Sequence, residues 1–271
     1  MRKHFLDRPI GSGNPNCTLA TVCIFLLTLM SADAAGIKIP VTVKDYTARP
    51  IISRRVEIFV AGTAIAGDIS ELAEGDSRML YRSELKTLYL VDESKRLVER
   101  YDGRIVSGVS SGLGAARSAV EDLLGRIQGS PVAADVAGAV QLNRTEVRRN
   151  IFGLECRGYV LSRRGVKLQE IWLAPWNAIG FKRSDFAPVW SLLEIYSEVA
   201  SDPALAKLLE QIEYVPASEL LQLDGYPVLI RHFNGPRIAY DIFLERPQTA
   251  AAPAGIFSLP SGYRIRNGWG L

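Results

Sequence analysis

The chain has 271 residues, of which 48% are hydrophobic and 23% are charged, a composition that suits a globular protein with one sizeable core. Its 32 basic and 29 acidic residues give a net charge of +3, so it lacks the strongly basic balance of a nucleic-acid-binding protein. With only three cysteines, the chain is not a disulfide-rich scaffold.

The first 35 residues predict an export signal. Three basic residues precede an apolar run of roughly a dozen residues, and the small residues 31–35 follow with an Ala-x-Ala site. Cleavage is expected after Ala34 or Ala35. The alternative is a retained membrane anchor, but a spanning helix needs about 20 apolar residues. We therefore expect a periplasmic or secreted protein without a stable membrane span, whose residues 36–271 form a single domain.

Short strands separated by turn residues fill the first half of this domain. The predicted strands are 37–43, 55–61, 63–69, 78–82, 87–92 and 96–101. Their spacing of roughly 8–12 residues indicates an antiparallel meander. Because proline cannot donate to a sheet ladder, Pro40 is expected at a sheet edge.

Helices are predicted on both sides of a central hairpin. Apolar residues recur at three- and four-residue intervals over 113–127, and a second short helix is predicted over 132–140. The hairpin occupies 150–176 and turns at residues 163–165. A second helical pair follows at 186–200 and 203–212.

The last third of the chain returns to strands. Residues 226–233 and 237–245 are predicted to pair through the turn dipeptide Asn234-Gly235. In the second of these strands, residues 238, 240, 242 and 244 form an apolar face by their period of two. A loose Ala/Pro-rich connector over 247–255 leads to a short strand within 256–265.

The sequence offers no catalytic constellation. After signal cleavage His232 is the only histidine, so a metal site of several histidines is excluded and a packed or rim role is expected. Cys156 is expected to be a small core residue. The glycines Gly108, Gly112 and Gly114 resemble a nucleotide-binding loop, but six strands precede them and no strand–helix alternation follows. We expect neither enzymatic activity nor a cofactor or metal.

Several short segments occur in the order typical of a bacterial periplasmic family of unknown function. They are 58–62 (IFVAG), 79–82 (MLYR), 88–92 (LYLVD), 98–102 (VERYD), 153–159 (GLECRGY), 170–176 (EIWLAPW), 224–228 (DGYPV) and 257–263 (FSLPSGY). In this order they resemble that family, which is itself similar to the LolA/LolB lipoprotein-carrier half-barrels. One departure is the middle helix, which is rich in alanine, valine and leucine rather than in methionine and glutamine.

The resemblance implies an α+β fold with a single curved antiparallel sheet, an incomplete barrel, whose concave face is covered by the helices. It further implies a cavity for lipid or lipoprotein acyl chains. We expect a monomer, and the small net charge predicts that it does not bind nucleic acid. The residues that would line this cavity are Ile58, Val60, Leu88, Leu90, Ile171, Leu173, Ile238, Tyr240 and Ile242. The alternative is that the same residues fill an ordinary core, in a non-enzymatic structural or interaction module of the cell envelope.

Overall fold

The computed structural model describes residues 35–72, 76–103, 140–201 and 217–268, which belong to the structural unit that begins at Ala35. The predicted signal peptide, the loop with Gly108, and the predicted helices over 113–127 and 203–212 lie outside these residues. Of the helix predicted over 132–140 only Val140 is described, and it begins a strand instead.

The described residues form a curved, unclosed sheet of 13 strands. The strands are β1 (Ala35–Asp45), β2 (Ile52–Ala61), β3 (Ala64–Asp68), β4 (Ser77–Arg82), β5 (Thr87–Asp92), β6 (Leu97–Asp102), β7 (Val140–Ile151), β8 (Leu154–Arg163), β9 (Val166–Ala174), β10 (Tyr226–Asn234), β11 (Arg237–Leu244), β12 (Gln248–Ala251) and β13 (Arg264–Asn267). Their order is β13-β6-β5-β4-β3-β2-β1-β11-β10-β9-β8-β7, and β12 pairs with β1. Every pair is antiparallel except β6 with β13.

Few helices accompany the sheet in the described ranges. The α-helices are α1 (Trp176–Ile179), α2 (Ala187–Ser201) and α3 (Ala217–Leu221), and short 3-10 helices occupy Ser83–Leu85 and Arg183–Phe186. None of these helices has the length and apolar character that crossing a membrane requires. The helix predicted over 186–200 is confirmed by α2, which begins and ends one residue later than predicted.

The tight hairpins follow from turn chemistry. The β7–β8 turn contains Phe152 and Gly153 with φ of 51° and 77°, and the β8–β9 turn contains Arg164 and Gly165 with φ of 51° and 79°. Two successive residues with positive φ match the right-handed twist of the flanking strands, and glycine adopts the second position without strain. The predicted turn at residues 163–165 is therefore confirmed.

Pro40 corrects the sequence-based expectation of a sheet edge. It lies in β1, between β2 on one side and β11 with β12 on the other. On that second side β11 pairs with residues 41–45 and β12 with residues 35–38, so Pro40 falls in the gap between two partners. Its missing N–H therefore breaks no ladder there, while its carbonyl accepts a hydrogen bond from the Glu245 amide at 2.9 Å.

The two faces of the sheet are covered by different elements. Alternate residues of a strand point to opposite faces, and cross-strand partners share a face. On the face we call the helix face, Tyr81 and Leu88 pack with Ile195 of α2, and the Tyr81 hydroxyl lies 2.8 Å from the Ser191 hydroxyl. On the opposite face, the strap face, residues 252–263 pack on Phe59, Leu80 and other residues of β2–β6.

The C-terminal strap, residues 252–263, is held by charged side chains of β4 and of the turn between β5 and β6. The Arg78 guanidinium donates hydrogen bonds to the carbonyls of Gly255, Ile256 and Ser258 at 2.8–2.9 Å. The Tyr263 hydroxyl donates to Glu93 at 2.5 Å. Together with the packing on the helix face, these contacts bury consecutive residues of β5 and β6, such as 87–89 and 97–99.

Three elements differ from the sequence-based predictions. β7 precedes the predicted central hairpin and adds a third strand to it. β12 lies in the predicted connector, and the predicted final strand begins only at Arg264. The other predicted strands are confirmed with end points that shift by a few residues.

Candidate functional site

An unbroken row of apolar side chains crosses one face of the sheet. Five residues on five neighbouring strands are direct cross-strand partners in sequence along the row. They are Tyr159 of β8, Ile171 of β9, Ile230 of β10, Ile242 of β11 and Val43 of β1, and we call them the apolar row. At a strand spacing of about 4.8 Å, the four intervals of the row span about 19 Å.

The apolar row is only partly covered. Ile171 is 1% exposed and packs with Leu161, Leu173 and Leu223 in a cluster that includes Leu220 of α3. The other four members of the row are half-buried. An arginine stands in register at each end, Arg144 beyond Tyr159 and Arg54 beyond Val43. The row is therefore an apolar track with cationic ends.

A polar row runs parallel to it, two residues further along each strand. Its members, Gln169, His232, Tyr240 and Asp45, are also successive cross-strand partners. The Gln169 amide nitrogen lies 2.6 Å from Nε2 and 3.0 Å from Nδ1 of His232, whose ring stacks on Tyr240 at 4.1 Å. Burial lowers the pKa of His232 to about 4, against a smaller opposing effect of the Asp241 charge. The imidazole is therefore neutral at neutral pH, and the polar row closes one side of the apolar track.

A pocket of about 300 Å³ opens beside the β8 end of the apolar row. Its lining includes two arginines, two carboxylates and two less polar side chains: Arg148, Arg157, Glu155, Asp224, Tyr159 and Leu173. Tyr159 belongs both to the pocket and to the apolar row, and Leu173 neighbours Ile171 on the same face of β9. The pocket and the row are therefore continuous.

All nine residues predicted to line a cavity lie on this one face. Ile171 and Ile242 belong to the apolar row, and Leu173, Ile238 and Tyr240 flank it on the same strands. The remaining residues reach the same face through the register of β1 with β2 and onward to β5; they are Ile58, Val60, Leu88 and Leu90.

The nine residues do not form one contact group. Val60 and Leu88 are 2% and 7% exposed, and they belong to the cluster that packs against α2. Ile171 and Leu173 belong to the separate cluster beside α3. Ile238, Tyr240 and Ile242 lie between these clusters along the sheet and are half-buried. The face is thus filled at two places and less covered between them.

Sequence reasoning missed three members of the apolar row. Val43, Tyr159 and Ile230 alternate in phase with neighbouring apolar residues of their strands, so a period-two count could have found them. What the count could not supply is the register that aligns them with Ile171 and Ile242.

The alternation of apolar and polar residues in β11 also gave no indication that a charged side chain of this strand is buried. Asp241 was expected on the polar side of this strand, yet it is 0% exposed. Its two carboxylate oxygens accept hydrogen bonds from Nε and Nη2 of Arg231 at 2.8 Å, and one also accepts from the Tyr46 hydroxyl at 3.1 Å. Burial, followed by the Asp241 charge, raises the pKa of Tyr46. This ion pair lies on the side of β10 and β11 opposite the apolar row and joins the two strands.

Cys156 is a packed core residue. Cys156 is 1% exposed, as predicted, and burial raises the pKa of its thiol to about 11. Within the described ranges, no group of three or more histidine, cysteine or acidic side chains could hold a metal ion.

No family model matches the sequence, and no curated protein matches it. Among solved structures, the chain is similar to a conserved protein from Thermus thermophilus, with 5% identity, a TM-score of 0.42 and coverage of 91% of this chain and 99% of that one. A LolA superfamily protein from Nitrosomonas europaea has 10% identity, a TM-score of 0.31 and coverage of 83% and 91%. A DUF1329 family protein from Desulfovibrio piger has 11% identity, a TM-score of 0.31 and coverage of 91% and 98%. The neighbours thus include the class that the sequence resembles, and at these TM-scores they carry no argument about what the chain binds.

Proposed function

We propose that this chain is an exported binding or carrier protein of the cell envelope. It holds a lipid, or another ligand with a long apolar segment, along the apolar row and performs no covalent chemistry. The observation that carries this proposal is the row itself, five apolar side chains in continuous register with four of them half-buried.

The dimensions of the row suit an extended hydrocarbon chain. Each buried methylene contributes about 0.8 kcal/mol, so a dozen methylenes along the row contribute roughly 10 kcal/mol before the costs of association. Those costs amount to about 4–15 kcal/mol. A short apolar group would therefore bind weakly, whereas a chain that spans the whole row offsets association costs of up to about 10 kcal/mol.

The second candidate is a structural or interaction module with a filled core. The burial of Val60 and Leu88 beneath α2 favours a filled core over the β2–β5 part of the helix face. The two candidates differ in the β10–β11–β1 part, where Ile230, Ile242 and Val43 are half-buried. A carrier needs a ligand at this place, and a filled module does not.

Native mass spectrometry with lipid extraction tests the proposal on protein purified from the periplasm. Wild type is compared with Ile242→Trp, which fills the middle of the apolar row, and with Ile265→Trp as the matched control. Ile265 is 58% exposed on β13, far along the strand order from the row. Unfolding midpoints establish that each variant is folded.

The proposal expects co-purified lipid on wild type and on the control, and its loss from Ile242→Trp. If wild type carries no lipid and its stability equals that of Ile242→Trp in the same buffer, the filled module is the better account.

A further inference from the structure

A cluster of arginines lies on the same face as the apolar row, at its β8 end. The register of β7 on β8 shifts by two residues between Arg144 and Arg148, so Arg144 faces Tyr159 while Arg148 faces Arg157. Residues 157 and 159 are alternate positions of β8 and share a face. The irregularity in β7 therefore brings three guanidinium groups into adjacent registers on one face.

Among the described residues, acidic side chains neutralise only part of this cluster. Arg148 is the direct cross-strand partner of Arg157, and it forms an ion pair with Glu155. Within the described part of the chain, Arg157 and Arg144 have no ion-pair or hydrogen-bond partner for their guanidinium groups. An anion bound here would therefore pair with Arg157, through the charge-assisted hydrogen bonds that a guanidinium group makes.

The same pocket presents an opposite charge. The Asp224 carboxylate lines it together with Arg157 and accepts a hydrogen bond from the Trp176 indole N–H at 3.0 Å. No basic side chain of the described residues pairs with Asp224. Because the Arg148–Glu155 pair cancels, Arg157 and Asp224 supply the two opposite charges that a ligand in this pocket would meet.

We propose that this pocket is the headgroup subsite for a zwitterionic aminophosphate amphiphile. The phosphate lies against Arg157 and the ammonium group against Asp224, while the hydrocarbon part follows the apolar row. This inference rests on the proposed function, since Tyr159 and Leu173 connect the pocket to the row.

The charges select this class of headgroup. A guanidinium fork matches phosphate oxygens and gives strong charge-assisted hydrogen bonds. An anionic headgroup without an amine would place its negative charge near Asp224 and offer this carboxylate no cation. An uncharged headgroup would offer no ion-pair partner to Arg157 or to Asp224. A zwitterionic headgroup is favoured because its phosphate complements Arg157 and its ammonium group complements Asp224.

Calorimetric titration of the full-length purified protein, freed of bound lipid, tests the inference. The probes are dioctanoyl phosphatidylethanolamine, dioctanoyl phosphatidylglycerol and dioctanoylglycerol, which share their hydrocarbon chains, and glycerophosphoethanolamine, which has none. The variants are Arg157→Gln and Asp224→Asn, the latter keeping an oxygen for the Trp176 hydrogen bond. Arg164→Gln in the β8–β9 turn is the matched control, since it removes the same charge from the same hairpin.

We expect wild type to bind the phosphatidylethanolamine most tightly. Arg157→Gln weakens both phospholipids by about tenfold and leaves dioctanoylglycerol unchanged, because only the phosphate contact is lost. Asp224→Asn weakens the phosphatidylethanolamine severalfold without weakening the phosphatidylglycerol. The control changes none of these affinities by more than about twofold.

The possible negative results distinguish a failure of the proposed function from a failure of the headgroup subsite. If no probe with hydrocarbon chains binds wild type, the proposed function itself fails. If all three chain-bearing probes bind equally and Arg157→Gln changes nothing, the apolar row binds lipid but the headgroup subsite is wrong. If glycerophosphoethanolamine binds as tightly as the full lipid, the pocket serves a small polar ligand and the inference is likewise overturned.

Discussion

Arg231 and Asp241 face each other across β10 and β11 in a two-pronged ion pair, with both nitrogen–oxygen distances at 2.8 Å. The carboxylate is fully buried and the arginine side chain is 20% exposed. Removing one partner of a buried pair leaves an uncompensated charge. Asp241→Asn is therefore expected to lower the free energy of unfolding by about 3 kcal/mol, measured by urea denaturation.

Two further variants isolate the effect of burial. Glu155→Gln breaks the Arg148–Glu155 pair, whose side chains are 64% and 67% exposed, and is expected to cost less than about 1 kcal/mol. Replacing both members of the buried pair, as in Arg231→Met with Asp241→Leu, should recover most of the loss. Equal losses in Asp241→Asn and Glu155→Gln would contradict the assignment of the first pair as buried.

The pKa of His232 makes folding stability depend on pH. Burial lowers this pKa from 6.5 to about 4, so folding favours the neutral ring, which faces Gln169 and Tyr240 with the Asp241 charge nearby. The stabilisation from the neutral ring is complete above pH 6.5 and is lost as the pH falls towards 4. We expect a loss of as much as about 3 kcal/mol over that range.

The measurement is the urea unfolding free energy of wild type and His232→Gln between pH 7.5 and pH 4. The variant lacks the titrating ring, so its stability should fall less than that of wild type over this range. Parallel pH profiles for the two proteins would show that His232 is not held neutral by the fold.

Cys156 is expected to be unreactive until the sheet opens. It is 1% exposed and its thiol pKa is raised to about 11, so little thiolate is present at neutral pH. Reaction with a thiol reagent should be slower than in urea-unfolded protein by about a thousandfold or more. The control is Val147→Cys in a Cys156→Ser background, because Val147 is 54% exposed. Comparable labelling rates of the two thiols in folded protein would contradict the buried position.

Arg78 fixes the C-terminal strap, because its guanidinium group donates hydrogen bonds to three backbone carbonyls of the strap. Arg78→Met keeps much of the side-chain volume and removes these hydrogen bonds. We expect the free energy of local opening of residues 252–263 to fall by about 2–4 kcal/mol, measured by native-state hydrogen exchange. Protection in β8 and β9 is the internal control and should stay unchanged; unaltered protection in the strap would contradict this role of Arg78.

Much of the sheet was predictable because its strands show period-two patterns and its turns contain Arg164-Gly165 and Asn234-Gly235. β7 escaped prediction because it is an edge strand whose two faces are largely exposed, so no apolar alternation marks it. Pro40 misled for a different reason. The sheet tolerates a proline inside β1 because the neighbouring strand changes from β11 to β12 at this position. Only the strand pairing shows this change of partner.

The candidate site was likewise predictable only in part. That Ile171, Ile242 and the other predicted cavity residues share one face follows from alternation along each strand. Their alignment into a row depends on register shifts after Pro227 and between His232 and Phe233, and a bulge cannot be located from apolar patterning alone. The burial of Asp241 likewise depends on Arg231 being its cross-strand partner.

Photo-crosslinking tests the central claim most directly. A phospholipid with a diazirine in its acyl chain is bound to the full-length protein and irradiated, and the labelled residues are identified by mass spectrometry of the peptides. The account expects labelling on β10 and β11, at or beside Ile230 and Ile242, and less labelling in Ile242→Trp. Labelling confined to the C-terminal strap, or none above that of an unfolded control, would contradict a lipid site on the apolar row.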